Sequence, residues 1–267
     1  MIPMINRLGA ALLVATVLLV APVDVGAVTP EEKGLAIAQE AEKRDTGFGD
    51  TTSKMVMVLK NRHGDKSTRN MRMKILEVHG DGDKSMSIFD RPRDIKGTAM
   101  LTHSHPLKSD DQWMYLPALK RVKRISSRNK SGPFMGSEFA FEDLGSQEIE
   151  KYTYRWLRDA SLNGRDCFVV ERRPAYKYSG YTRQVSWMDK AMYQPLKVDY
   201  YDRKNTLLKT QIFEGYKQYL GQYWRPDSMS MVNHQTHKST TLNWKDYKFK
   251  VGLEDRDFDR NSLKRAR

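Results

Sequence analysis

Residues 110–144 read DDQWMYLPALKRVKRISSRNKSGPFMGSEFAFEDL, and the fold can be worked outward from them. Trp113 and Tyr115 share one face of an extended segment, because side chains alternate along a strand. Pro117 ends that strand or marks a sheet edge, since proline cannot donate to a ladder. Lys120, Arg121, Lys123, Arg124, Arg128 and Lys130 then place six positive charges within eleven residues. An extended chain distributes them to both of its sides. Two uses fit: a charged edge that blocks edge-to-edge pairing, or a docking site for anionic headgroups or an acidic partner. Gly132-Pro133 and Gly136 give the following segment its bend points. Phe134, Phe139 and Phe141 are too apolar to leave in water without purpose. With Met135 and Gly136 they read as a lid or plug over an apolar cavity, or as a contact with a partner.

Around this stretch the hydrophobic period is mostly two. Residues 53–59, 68–78, 85–89, 97–103 and 112–116 read as short strands with Gly/Asp or Pro turns between them. Residues 167–172, 184–188, 196–201, 207–219, 225–236 and 240–249 continue the series, and 207–219 is polar on one face. Residues 152–156 read as a strand or as the end of a helix beginning near Gly145. The exception comes at the start. Thr29-Pro30-Glu31-Glu32 is a helix start with a capping box, predicting a helix to Arg44 with Leu35, Ala38 and Ala41 on one face. The expectation is an antiparallel meander, mainly β with some helix, in one domain over 28–267, since no linker divides it.

Met55/Met57, Met71/Met73 and Met229/Met231 are i, i+2 pairs, so each pair of sulfurs lies on one strand face. Met86 and Ile88 extend the set. A Met-tolerant core explains them. So does a cavity for irregular apolar ligands, which suits flexible, polarizable methionine. The chain carries a formal net charge of +13 and a single cysteine, Cys167, which reads as inert strand core. Residues 1–27 read as a secretory signal peptide: Arg7, an apolar run from Leu8 to Val20, Pro22, and a Val-Gly-Ala cleavage site. An uncleaved anchor is the alternative. Export turns the positive charge away from nucleic acid and toward anionic membrane surfaces or acidic proteins.

Catalytic signatures are missing. There is no GxSxG, no phosphate loop, and Cys167 sits in an apolar strand. His103 and His105, with the distant His234 and His237, could form a zinc site and a metal-dependent hydrolase, but no carboxylate completes a known spacing. The expectation is a non-enzyme with no cofactor and no metal.

The segments WMYLPALKRVKRI (113–125) and FMGSEFAFEDL (134–144) together resemble the exported family of outer membrane lipoprotein-sorting proteins. These are relatives of the periplasmic carrier of the Lol pathway. FDRPRDIKGTA (89–99) and PLKVDYYD (195–202) are similar to the same family. The resemblance implies a half-open antiparallel β-barrel curved around a hydrophobic cavity, with helices plugging the concave side. It implies a soluble periplasmic carrier that shields the acyl chains of a lipid or lipoprotein and shuttles them toward the outer membrane without covalent chemistry. Members are often associated with RND-type exporters, so an adaptor for such an exporter, with no cargo of its own, is the second reading. Under the carrier reading, Met57, Met71, Met73, Met86, Ile88, Trp113, Tyr115, Met229 and Met231 line the cavity. Lys120, Arg121, Lys123, Arg124 and Arg128 hold a headgroup, an anionic membrane surface or a partner. The carrier's cargo-gating arginine has one candidate here, Arg72.

Overall fold

The computed structural model describes residues 27–146 and 148–266. Apart from Ala27, the signal-peptide reading of 1–27 lies outside the described residues. Thirteen strands form one antiparallel sheet. A first meander runs from β1 (Asp50–Lys60) through β2 (Lys66–Leu76), β3 (Lys84–Arg91), β4 (Ala99–His103) and β5 (Asp111–Leu116) to β6 (Arg121–Ile125). A second comprises β7 (Tyr152–Leu162), β8 (Arg165–Pro174), β9 (Arg183–Asp189), β10 (Pro195–Tyr201) and β11 (Leu207–Glu214). The small hairpin β12 (Lys217–Tyr219) and β13 (Tyr223–Arg225) then leaves the sheet. β14 (Ser228–Asn233) returns beside β11, and β15 (Ser239–Phe249) joins the two meanders by pairing with β1. Residues 207–219, expected as one strand, therefore break after Glu214, where Gly215 adopts φ +67°. Residues 152–156 belong to a strand, preceded by a single 3₁₀ turn rather than a helix.

β6 and β7 are the two edges of this sheet, yet they are consecutive in sequence. The segment between them must cross the open side. That connectivity is what delivers Phe134 and Phe139 to the interior.

The helix α1 (Pro30–Asp45) starts at the expected box: Glu32 N–H donates to Thr29 Oγ1 at 3.2 Å and Thr29 N–H donates to Glu32 Oε2 at 2.8 Å. Its packed face differs from the expected one. Gly34 and Ile37 are buried, whereas Leu35 is exposed. A Cβ on residue 34 would lie 2.7 Å from the backbone nitrogen of Trp156, so only glycine lets α1 rest directly on β7. Residue for residue, Trp156 pairs with Val170, Val170 with Ser186, and Ser186 with Val198, which belongs to the inner core; α1 thus lies on the inner side.

The sheet carries a different apolar cluster on each face. On the inner face Met55 pairs with Met71, Met71 with Phe89, Met57 with Leu242, and Met229 with Leu242 and Phe213. One cluster joins these to Met100, Met114, Tyr200 and Met231 around Phe134 and Phe139. Met114 of β5 and Val198 and Tyr200 of β10, far apart in the strand order, join one cluster with the two phenylalanines only because the sheet curls around them. This is the expected half-open barrel. On the outer face Met86, Ile88, Ala99 and Leu101, with Trp113, Tyr115 and Val122, are covered by Phe258 and by Leu263 of α2 (Arg260–Arg265). Of the two α-helices among the described residues, α1 lies on the concave side and α2 covers the convex one.

Among the cavity residues expected from sequence, Met86, Ile88, Trp113 and Tyr115 are therefore corrected. Met86 pairs with Lys74 and Ile88 with Arg72, while Phe89, not its neighbours, pairs with Met71. An irregularity between Asn70 and Met71 sets that register, and a one-residue offset moves a whole set of side chains to the other face.

Candidate functional site

The inner face receives the loop 131–144 as a small, tightly bonded unit. Phe134 N–H donates to the Phe139 carbonyl at 2.7 Å, and Phe141 N–H donates to the Gly132 carbonyl at 3.1 Å. Met135 and Gly136 form its tip with φ of +49° and +75°. For glycine that region carries no Cβ penalty, whereas Met135 is held there against its preference. Phe134 is 1% exposed and Phe139 3%. Phe134 packs 5.8 Å from both Phe89 and Phe141, centroid to centroid. Of the loop residues named from sequence, Phe134, Met135, Phe139 and Phe141 are thus brought onto the Met57, Met71, Met73, Met229 and Met231 surface, while Gly136 stays exposed.

Polar contacts hold this apolar plug in place. Lys209, on the inner face of β11, donates to Asp143 Oδ2 at 2.7 Å and to the Glu138 carbonyl at 2.9 Å. The two charged side chains are only 4% and 6% exposed. Tyr181 OH donates to Asp143 at 2.9 Å, and the rings of Tyr181 and Tyr200 both lie 5.1 Å from the Lys209 ammonium. Burial pushes both phenols well up, so they remain neutral donors. Glu142 accepts from Tyr176 OH, Ser179 Oγ and Gly180 N–H at 3.1, 2.8 and 2.8 Å. Its carboxyl is pushed up by burial and by the neighbouring Asp143 charge, against the pull of those donors. Gln112 Nε2 and Thr240 Oγ1 anchor the Phe141 carbonyl and the Glu138 amide.

Arg69 completes the fastening: Nη1 donates to the Met135 carbonyl at the tip of the loop. Burial lowers its pKa, with Asp94 opposing. The gating candidate Arg72 does not meet the loop. It lies on the opposite face and forms an ion pair with Asp90 at 2.9 Å. Arg69 stands three positions away, an odd offset that reverses the face of a strand.

The basic stretch is placed as expected on both sides of an edge strand. Arg121, Lys123 and Arg124 are exposed on β6, which among the described residues pairs only with β5. Arg124 is engaged by Asp111, and Arg128 lies 5.7 Å over the Tyr178 ring; Lys120 and Arg128 are exposed as well. The histidines do not converge: His103 bonds the Phe258 carbonyl, His105 bonds Asp81, and His234 bonds Thr210. Among the described residues no group of three or more His, Cys, Asp or Glu side chains is arranged to hold a metal ion. Cys167 is fully buried, and burial raises its thiol pKa, which suppresses the reactive thiolate. No helix among the described residues is long and apolar enough to cross a membrane.

Sequence reasoning missed Lys209, Tyr181 and Arg69. It also missed a cleft of about 610 Å³ beside the loop, with Pro133, Ala140, Tyr181 and Leu208 among its walls and Arg203, Lys204 and Lys238 around it.

A curled, unclosed sheet whose edge-to-edge connection is tucked into its own concavity defines a half-open barrel with an internal plug. The same fold occurs in a LolA superfamily protein from Nitrosomonas europaea, 20% identical, with a TM-score of 0.69 over 88% of this chain and 100% of that one. A DUF1329 family protein from Desulfovibrio piger is 32% identical, with a TM-score of 0.84 over 88% of this chain and 99% of that one. A domain from Vibrio parahaemolyticus named for outer membrane lipoprotein sorting is 63% identical, with a TM-score of 0.86 over the same shares. A family model described only as an uncharacterized protein matches residues 81–265. No curated protein matches the chain. The chain belongs to the DUF1329 family of lipoprotein-sorting-like proteins.

Proposed function

We propose that this protein is a periplasmic carrier that holds the acyl chains of a lipid or lipoprotein between its curved sheet and the loop 131–144, and shuttles them toward the outer membrane without covalent chemistry. One observation carries the reading. Phe134 and Phe139 sit within the methionine-rich inner cluster, and polar contacts from Lys209 to the Glu138 carbonyl and the Asp143 carboxylate hold their loop there. An apolar ligand can take the place of the two rings on the methionines while the loop swings away. Each methylene buried contributes about 0.8 kcal/mol, so a long acyl chain can match what the two phenylalanines give up. Met57, Met71, Met73, Met229 and Met231 form the receiving surface, and Arg69 the group that senses whether the loop is seated. Mass spectrometry of lipid extracted from natively purified protein, with displacement of a fluorescent fatty acid, tests this. Finding neither a bound lipid nor displacement would refute it.

A second reading has its own support. With the loop seated, the centre of the concavity is filled. The sheet also ends at a basic edge strand whose outer backbone groups have, among the described residues, no strand partner. An exported adaptor that adds an acidic segment of an inner-membrane RND-type exporter to β6 would need no cargo. Binding of such an exporter segment that persists while lipid extracts stay empty would favour it.

A further inference from the structure

The cleft beside the loop opens where the β10–β11 and β14–β15 turns meet the plug. Its volume of about 610 Å³ lies within the range of small-ligand sites. Tyr181, Leu208 and Ala140 give it apolar walls that continue into the inner cluster. Its mouth carries Arg203, Lys204 and Lys238, all exposed and, among the described residues, in no ion pair. Arg203 Nε donates to the Ser179 carbonyl at 3.1 Å, which leaves its other nitrogens free. Two carboxylates line the cleft: Asp202 accepts from Lys204 N–H, Thr206 N–H and Gln235 Nε2 at 2.9 Å each, and Glu138 Oε2 accepts from Asn233 Nδ2 at 2.7 Å. At the base stands Lys209, the cation that holds Asp143 and hence the loop. Three uncommitted cations above an apolar wall suit an amphiphile with an anionic head. The one buried cation below them links that head to the gate.

We propose that this cleft receives the phosphate of an anionic phospholipid headgroup, with Arg203, Lys204 and Lys238 as its receiving cations. Lys209 then exchanges Asp143 for the phosphate, so headgroup capture releases the plug. The proposal rests on the carrier reading and adds to it the head that is recognised and the order of events: the head binds first, and the acyl chains follow once Phe134 and Phe139 withdraw.

Calorimetry of the full chain with monomeric dihexanoyl phosphatidylglycerol, inorganic phosphate and the uncharged amphiphile octyl glucoside tests it. A second protein carries Arg203→Gln, Lys204→Gln and Lys238→Gln, all at exposed positions, with its folding checked by thermal melting. The expected result is that phosphatidylglycerol binds more tightly than inorganic phosphate, and that the triple substitution weakens it roughly tenfold while octyl glucoside is unaffected. Phosphatidylglycerol should also speed hydrogen exchange in residues 131–144 of the parent but not of the triple variant. Unchanged phosphatidylglycerol binding in the variant would overturn the proposal. Inorganic phosphate binding as tightly as the lipid would replace it with a free-phosphate site. Octyl glucoside binding without phosphatidylglycerol would remove the headgroup role and leave the carrier reading standing, whereas binding of neither amphiphile would remove both.

Discussion

Replacing Asp143 by alanine should open the loop before it unfolds the sheet. The carboxylate accepts from Lys209 at 2.7 Å, Tyr181 OH at 2.9 Å and the Ala140 amide at 2.7 Å. Without it, the Lys209 ammonium, 4% exposed, keeps among the described residues only the Glu138 carbonyl as an acceptor. Stranding one member of a buried ion pair costs about 3–5 kcal/mol. Phe134 and Phe139 contribute about 1.5–3 kcal/mol each by staying buried, so the loss at the ion pair is of the same order as what the two rings contribute. A shift of about 3 kcal/mol changes the open-to-closed ratio by roughly two orders of magnitude. Hydrogen exchange reads it directly, because the amides of Phe134, Ser137, Phe141 and Asp143 all bond within the loop. Their exchange should accelerate while the β1–β2 and β8–β9 ladders stay protected, and fatty-acid probe binding should strengthen. Asp143→Leu combined with Lys209→Met, which replaces the pair by apolar groups, should restore protection. Unchanged loop exchange in Asp143→Ala, or acceleration spread evenly over the sheet, would refute the idea that this pair is a latch.

Gly34→Ala puts a methyl group 2.7 Å from the Trp156 backbone nitrogen, so α1 must lift from β7; thermal melting should show a loss of about 1–3 kcal/mol. Asp83 gives a pH signature. Burial, with Glu148, Glu77 and Asp45 nearby, raises its carboxyl to about 7. A carboxyl that holds its proton more tightly when folded destabilises the protein as pH rises from the ordinary carboxylate range to about 7, and no further above it. Asp83→Asn keeps an oxygen for the Val78 amide. The gain in Tm over the parent should therefore grow between pH 5 and pH 8; a gain independent of pH would show that Asp83 is already ionised when folded.

Much of the architecture follows from local pattern. Alternation marks most of the strands, and the Thr29–Glu32 box marks the start of α1. The Phe134, Phe139 and Phe141 loop stands out because three aromatic rings among bend residues have no reason to be in water. Those signals lie within a few residues of one another, so the chain alone determines them. Pairings across the fold are different. Lys209 and Asp143 are 66 positions apart. The segment 207–219 reads only as polar on one face, and nothing local says that Lys209 and Gln211 are buried inside. Met86 and Met71 look like one set until the register beside Asn70 separates them. Arg69 and Arg72 are equivalent as letters, and strand parity sends one to the loop and the other to Asp90. The sequence by itself determined that there is an antiparallel meander and an apolar loop with a reason to leave water. Only the tertiary structure decided which face the plug meets and which charges hold it, because strand register and the crossing from β6 to β7 are long-range facts that no local period encodes.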